Sequence, residues 1–210
     1  TYLEEGDWTV LTRNGATIYD RAGREVVRPM QKSVASSLLV DKGNHRHFMA
    51  KEIHEQPEVI SHTLAHYLDM AENKVRFPDL GIDLASVKRV SISACGTAYY
   101  AGLVAKYWLE RYARLPVEID IASEFRYREA PLEPGGLAVF VSQSGETADT
   151  LATLRYCKQH GQRIASIVNV RTSTIARESH AILPTLAGPE IGVASTKAFT
   201  CQLTLLACLA

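Results

Sequence analysis

From residue 88 onward, short runs of β-branched and apolar residues alternate with longer stretches that repeat at helical spacing. The short runs fall at 88–94, 117–121, 137–141, 163–168 and 181–184, and each is apolar on both faces. Between them the pattern predicts helices at 98–114, around 123–127, at 147–160, at 172–178 and from 195 onward. Strands buried on both sides and joined by helices imply a parallel sheet with right-handed crossovers. The predicted fold class is therefore α/β, a three-layer arrangement with helices over both faces of one parallel sheet. In such sheets a ligand sits beyond the carboxyl ends of the strands, near the point where strand order reverses.

The region before residue 88 reads differently. Residues 8–29 alternate apolar and polar positions around two turn signals, Asn14-Gly15 and Ala22-Gly23, which predicts an antiparallel meander with strands at 8–12, 16–19 and 25–27. Three short strands are marginal alone, so the meander is expected to complete a larger sheet. Residues 31–43 are polar and serine-rich and read as a linker. Residues 44–80 read as a helical lead-in, with one helix over 45–56, a stop at Pro57, and a second helix over 57–70 that carries Pro57 in its first turn. Residues 81–210 form the α/β domain. The chain opens on Thr1 rather than Met and closes inside an apolar helical run, so it is expected to be a piece of a longer polypeptide.

Composition narrows the class. The 23 basic and 23 acidic residues balance, which argues against a nucleic-acid or anionic-membrane surface. Cys95, Cys157, Cys201 and Cys208 show neither CxxC pairing nor disulfide-scaffold spacing, the usage of a reducing cytosol. No basic stretch followed by an apolar run opens the chain as a signal peptide would, and the apolar tail from Ala198 is too short to span a bilayer. A cytoplasmic location is expected.

The chemistry concentrates in two strand-loop-helix cassettes. Ser142-Gln-Ser-Gly-Glu-Thr147 brings three hydroxyls, an amide and a glycine into one loop that enters a helix. Gly145 lets the backbone approach a ligand, while Ser142, Ser144 and Thr147 offer donors to phosphate oxygens. An ordinary helix cap needs one hydroxyl rather than three. Cys95-Gly-Thr-Ala98 is the second such entry. Free backbone N–H groups at two helix starts bind a dianionic phosphate without Lys or Arg. Glu146 would repel a phosphate, so it is assigned to the outer face or to stabilising a helix dipole.

Rival readings are weaker. A nucleophile elbow needs Gly-x-Ser-x-Gly, and here Ser142 and Glu146 occupy the glycine positions around Ser144. A dinucleotide fingerprint needs glycines where Tyr99 and Tyr100 stand, even though Asp120 lies near the ribose-binding spacing. Cys95 reads as a small residue under the ligand rather than a reactive thiol, because no base is placed beside it. Gly188 to Lys197 makes a third loop-to-helix entry, with Ser195 as a cap and Lys197 either meeting phosphate or standing in solvent. His45, His47 and His54 lack the i, i+4 spacing of a zinc helix and read as surface or interdomain residues. Thr1 as an N-terminal nucleophile is explained better by a cut chain.

Taken together, five stretches carry a resemblance. They are His47 to Pro57 (HFMAKEIHEQP), Ala94 to Thr97 (ACGT), Ile121 to Arg128 (IASEFRYR), Ser142 to Leu151 (SQSGETADTL) and Glu190 to Thr200 (EIGVASTKAFT). The SQSGET segment marks the sugar isomerase (SIS) domain superfamily. With the His47 and Glu190 segments, the chain resembles the glutamine–fructose-6-phosphate aminotransferases, isomerising.

That resemblance implies a glutaminase portion, whose last strands would be residues 1–30, and an SIS portion of which residues 81–210 would be the first domain. It implies that ammonia from glutamine and fructose 6-phosphate become glucosamine 6-phosphate, a step of amino sugar biosynthesis. Carried over by position, Ser142, Gln143, Ser144 and Thr147 would hold the phosphate. Thr97, the Cys95 and Gly96 backbone, and the region of Val193 and Ser195 would line the sugar. The family usually has serine where this chain has Ala98, whose N–H remains while a side-chain donor is lost. The family's proton-transfer and glutaminase residues would lie outside this chain. No metal or organic cofactor is implied, and the family is typically dimeric. Two other uses of the same motif are a phosphosugar-sensing regulatory module and a simple ketose/aldose phosphate isomerase. The first commonly brings a helix-turn-helix that the meander does not offer, and the second needs neither meander nor His47–Pro57 helix.

Overall fold

A computed structural model of the chain describes residues 1–30, 41–78 and 80–210, so most of the expected linker at 31–43 lies outside the described residues. The chain divides into two compact units, Thr1–Leu39 and Val40–Ala210.

The first unit is the expected meander: β1 (Trp8–Thr12), β2 (Gly15–Tyr19) and β3 (Glu25–Val26), antiparallel in that order. Gly15 opens β2 opposite Thr12, so the tight loop is Arg13-Asn14 rather than Asn14-Gly15. Trp8 stacks on Tyr19 across the β1–β2 pair with ring centroids 4.5 Å apart. The Arg28 guanidinium donates to both Asp7 carboxylate oxygens, at 2.8 and 3.0 Å, and holds that carboxyl below the usual aspartate range.

The second unit opens with α1 (Phe48–Tyr67), one helix that runs through Pro57. The expected break is absent for two local reasons and one tertiary one. Pro57 has no N–H to give the Ile53 carbonyl, but the Gln56 side-chain amide donates to that carbonyl at 3.1 Å. Pro57 itself is exposed, so the ring displaces no core residue. Beyond it, buried Val59, Thr63 and Tyr67 dock the helix, with the Thr63 hydroxyl bonded to the Thr185 carbonyl and the Tyr67 hydroxyl donating to Pro184 at 2.8 Å. α1 ends at Tyr67 rather than Met70, because β4 (Leu68–Asp69) turns back onto β5 (Lys74–Val75). The Asp69 carboxylate accepts from the Ala71 and Glu72 N–H groups, both at 3.1 Å, and Asn73 takes the left-handed conformation at φ +50.

The remaining elements alternate as read from the pattern: β6 (Val90–Ala94), α2 (Gly96–Trp108), β7 (Val117–Ile121), α3 (Ala122–Arg128), β8 (Leu137–Ser142), α4 (Ala148–Gln159), β9 (Arg163–Val168), α5 (Thr174–Glu178), β10 (Ala181–Pro184) and α6 (Lys197–Leu209). α2 is shorter than expected because a π turn, Leu109–Ala113, follows it and ends at Arg114 with φ +57. The five strands pair in parallel in the order β7-β6-β8-β9-β10. Direction reverses between β6 and β8, which makes that gap the switch point.

Alternation along β8 shows why the sheet is covered on both sides. Leu137, Val139 and Val141 join a core with Ala101, Ala105, Leu205 and Leu206 of α2 and α6. Ala138 and Phe140 join Phe125, Leu154 and Ile175 of α3, α4 and α5 on the other face. Residues two apart on a strand share a face, so one strand seals both layers.

Candidate functional site

β6 and β8 end side by side, with Ala94 paired to Val141, and the loops that leave them meet in one cavity of about 250 Å³. Cys95, Thr97, Ala98, Ser142, Gln143, Ser144 and Thr147 line it from the two cassettes, and Val193 and Ser195 line it from the third loop. Of the residues expected to hold the phosphate or line the sugar, only Gly96 is not on the lining; it supplies the bend at φ +58 that lets α2 begin there.

Both helices that start at the cavity, α2 and α4, begin without a side-chain cap. Their first-turn N–H groups and positive dipole ends are therefore available to an anion. Within the 142–147 loop the hydroxyls divide their work. Buried Ser142 accepts the Gly145 N–H at 3.0 Å and shares a bond with Thr147 at 3.2 Å, so it shapes the loop. Exposed Ser144 accepts from the Glu146 N–H at 3.2 Å, which leaves its O–H to donate outward. Glu146 points away, as its charge demands: its carboxylate accepts the Thr174 N–H at 2.7 Å at the start of α5. Gly145, at φ +67, sits so close to Ser173 that an added Cβ would lie 1.9 Å from the serine hydroxyl.

The third loop differs from expectation. Ser195 is not an open cap, because its hydroxyl donates to Glu190 at 3.0 Å. The Glu190 carboxylate also accepts the Thr196 and Ala198 N–H groups at 2.8 and 3.1 Å, so it caps α6 itself. Lys197 neither meets the cavity nor stands in solvent; it is buried and donates to Glu55 at 2.6 Å. Burial pushes the Glu55 carboxyl up, but Lys197 and then Lys51 outweigh burial and hold it below the usual glutamate range. Glu52, 2 % exposed, reaches from α1 to accept the Ile191 and Gly192 N–H groups, at 2.5 and 3.1 Å. A Cβ at 192 would meet the Glu52 carboxylate at 2.5 Å, so any larger residue there must displace that carboxylate.

Glu52 and Glu190 thus position the wall that carries Val193, and sequence reading missed both. Glu52 lies too far along the chain from Ile191 and Gly192 to signal its partners, whereas Glu190, five to eight residues before the groups it accepts from, stood near enough to be found as a cap. Glu52→Ala should leave those two N–H groups without their carboxylate and cost about 1–3 kcal/mol. The expected readout is faster limited proteolysis within 188–196; a cleavage rate equal to the unmodified protein's would show that Glu52 does not hold the loop.

The other candidates resolve simply. The polar group that meets the Cys95 sulfur is the Thr150 hydroxyl, 3.9 Å away, which is no base. Cys157 is buried, which pushes its thiol up to about 12. All four cysteines are free. Asp120 pairs with Arg128 rather than standing free for a ribose. His45 and His54 lie with ring centroids 5.2 Å apart, and among the described residues no group of three or more metal-ligating side chains forms. Among the described residues, no helix is long and apolar enough to cross a membrane.

Comparison with known proteins matches residues 83–210 to the SIS domain. Over all 210 residues the chain is 69% identical to glutamine–fructose-6-phosphate aminotransferase [isomerizing] of Brucella abortus biovar 1 and covers 35% of that protein. The protein of the same name from Bradyrhizobium diazoefficiens is 68% identical, again over the whole chain and 35% of its own length. The chain therefore spans about a third of the length of these relatives. Among solved structures it is similar to the C-terminal domain of glucosamine-fructose-6-phosphate aminotransferase from Francisella tularensis, with a TM-score of 0.76, 46% identity, and coverage of 80% of this chain and 48% of that one.

Proposed function

Because this chain belongs to the SIS domain family, we propose that it is the sugar-phosphate-anchoring part of an enzyme that makes glucosamine 6-phosphate and glutamate from fructose 6-phosphate and glutamine. The observation that carries the anchoring role is the meeting of two uncapped helix starts and the Ser144 and Thr147 hydroxyls at one switch-point cavity. The identity with the named aminotransferases over the whole chain supports the reaction.

In this reading residues 1–30 close a glutaminase domain, 31–43 link it, 44–80 lead into the isomerase part, and 81–210 are its first SIS domain. Glutamine binds outside this chain, and the complete protein is a cytoplasmic homodimer. Fructose 6-phosphate places its phosphoryl group against the α2 and α4 starts, with Gln143 beside it. Fixing that group, remote from the reacting carbons, orients the sugar for groups supplied elsewhere in the polypeptide.

The test is made on the full-length protein supplied with glutamine and fructose 6-phosphate: glucosamine 6-phosphate forms there, while this chain alone turns over neither. Turnover by the isolated chain would contradict the division of labour. A second outcome bears on Ala98, which is buried and lines the cavity at the start of α2. Ala98→Ser restores a hydroxyl donor and should tighten sugar-phosphate binding by about 1 kcal/mol, roughly fivefold. Unchanged half-saturation in that variant would place the phosphoryl group away from the α2 start.

A further inference from the structure

Helix α6 buries Ala198, Cys201, Leu205 and Leu206, and Gln202 lies among them, 2 % exposed. Gln202 lines the cavity, yet its buried Oε1 accepts no hydrogen bond from the described residues. A buried amide oxygen without a donor destabilises a fold, and a methionine would occupy the same space without that cost. Such a group in a native core calls for an explanation, and a partner entering through the cavity supplies one.

The chemistry of the missing partner is narrow. An amide oxygen is an acceptor, so the partner must bring a proton. A phosphoryl dianion brings none. A sugar hydroxyl brings one and can accept in turn from the amide NH2 group. The phosphate-binding donors of the cavity come from the Cys95–Ala98 and Ser142–Thr147 segments, whereas Gln202 comes from a third element, α6.

We propose that Gln202 is a sugar-binding residue whose side-chain amide turns into the cavity it lines and hydrogen-bonds a hydroxyl of the ester held there. The inference rests on the sugar-phosphate reading above and adds to it a residue that reads the polyol rather than the phosphoryl end. Gln202 then distinguishes a phosphorylated sugar from a phosphate ester without hydroxyls. The local instability of the unliganded amide is the counterpart of that selectivity, because the bond is completed only when the sugar is bound.

The test uses the full-length protein carrying Gln202→Met or, as a second shape, Gln202→Leu. Two ligands are titrated: fructose 6-phosphate, and methyl phosphate, which has the phosphoryl group and no hydroxyl. The dissociation constant for fructose 6-phosphate should rise about tenfold while that for methyl phosphate stays within about twofold. The denaturant midpoint should be no lower than that of the unmodified protein, since a structural hydrogen bond has not been removed. Unchanged fructose 6-phosphate affinity in both variants overturns the inference, as does an equal loss for both ligands or a loss accompanied by a lower midpoint. If the unmodified protein binds neither ligand, the sugar-phosphate reading itself fails; if it binds both and the variants bind normally, only the role of Gln202 fails.

Discussion

Replacing Gly145 with alanine is expected to lower the unfolding free energy by about 2–4 kcal/mol, as the left-handed backbone adds its strain to overpacking. Gly145 holds φ +67, and the added Cβ would stand 1.9 Å from the Ser173 hydroxyl and 2.5 Å from its Cβ. Neither partner can move cheaply. Ser173 accepts the Ala176 N–H at 3.4 Å at the start of α5, and the Gly145 carbonyl accepts the Ile175 N–H at 3.0 Å. Denaturant unfolding reads the loss directly, with a lower midpoint and an unchanged slope. Ser173→Ala in the same background should recover part of it by removing the nearer of the two clashing atoms. A Gly145→Ala protein as stable as the unmodified one would mean that the 142–147 loop is not locked onto α5.

In the full-length protein, Ser144→Ala and Thr147→Ala should each raise the fructose 6-phosphate concentration at half-maximal rate about tenfold or more, the effect of losing a hydrogen bond to a charged group. Glutamine hydrolysis should change far less, because in the proposed reading glutamine binds outside this chain. Ser144 should show this selectivity more cleanly. Its only bond within the loop is to the Glu146 N–H, whereas Thr147 also supports Ser142. The comparison that checks it is sugar-dependent synthesis against glutamine hydrolysis in the same preparations. Equal losses in both activities would assign the two hydroxyls to folding.

The parts of the fold that were legible in the chain are those ruled by local periodicity. Runs such as Leu137–Val141 are apolar at every position and cannot lie on a one-sided sheet, so parallel pairing under two helical layers followed. The two cassettes were legible because their hydroxyls and glycines are clustered within a few residues. Pro57 misled because its effect was read one residue at a time. Gln56 supplies the missing donor, and packing at Val59, Thr63 and Tyr67 outweighs the remaining cost. The turn at Asp69 to Asn73 was hidden in what looked like the end of a helix, although an Asp and an Asn four apart are turn formers. Gln202 was visible only as a polar residue in an apolar helix; that its amide oxygen has no donor among the described residues is a property of its neighbours.

By itself, then, the chain determined an α/β domain with two anion-ready helix starts, because strand and helix periods and the needs of a tight turn are encoded within a few residues. Only the tertiary structure decided which side chains face the cavity and which carry the frame. It turned Glu146 toward α5, gave Glu190 to the start of α6, buried Lys197 against Glu55, and brought Glu52 across from α1 to the Ile191 and Gly192 N–H groups. Those pairings join residues as many as 142 positions apart. Their energies depend on distance in space and on desolvation, neither of which any local pattern of residues expresses.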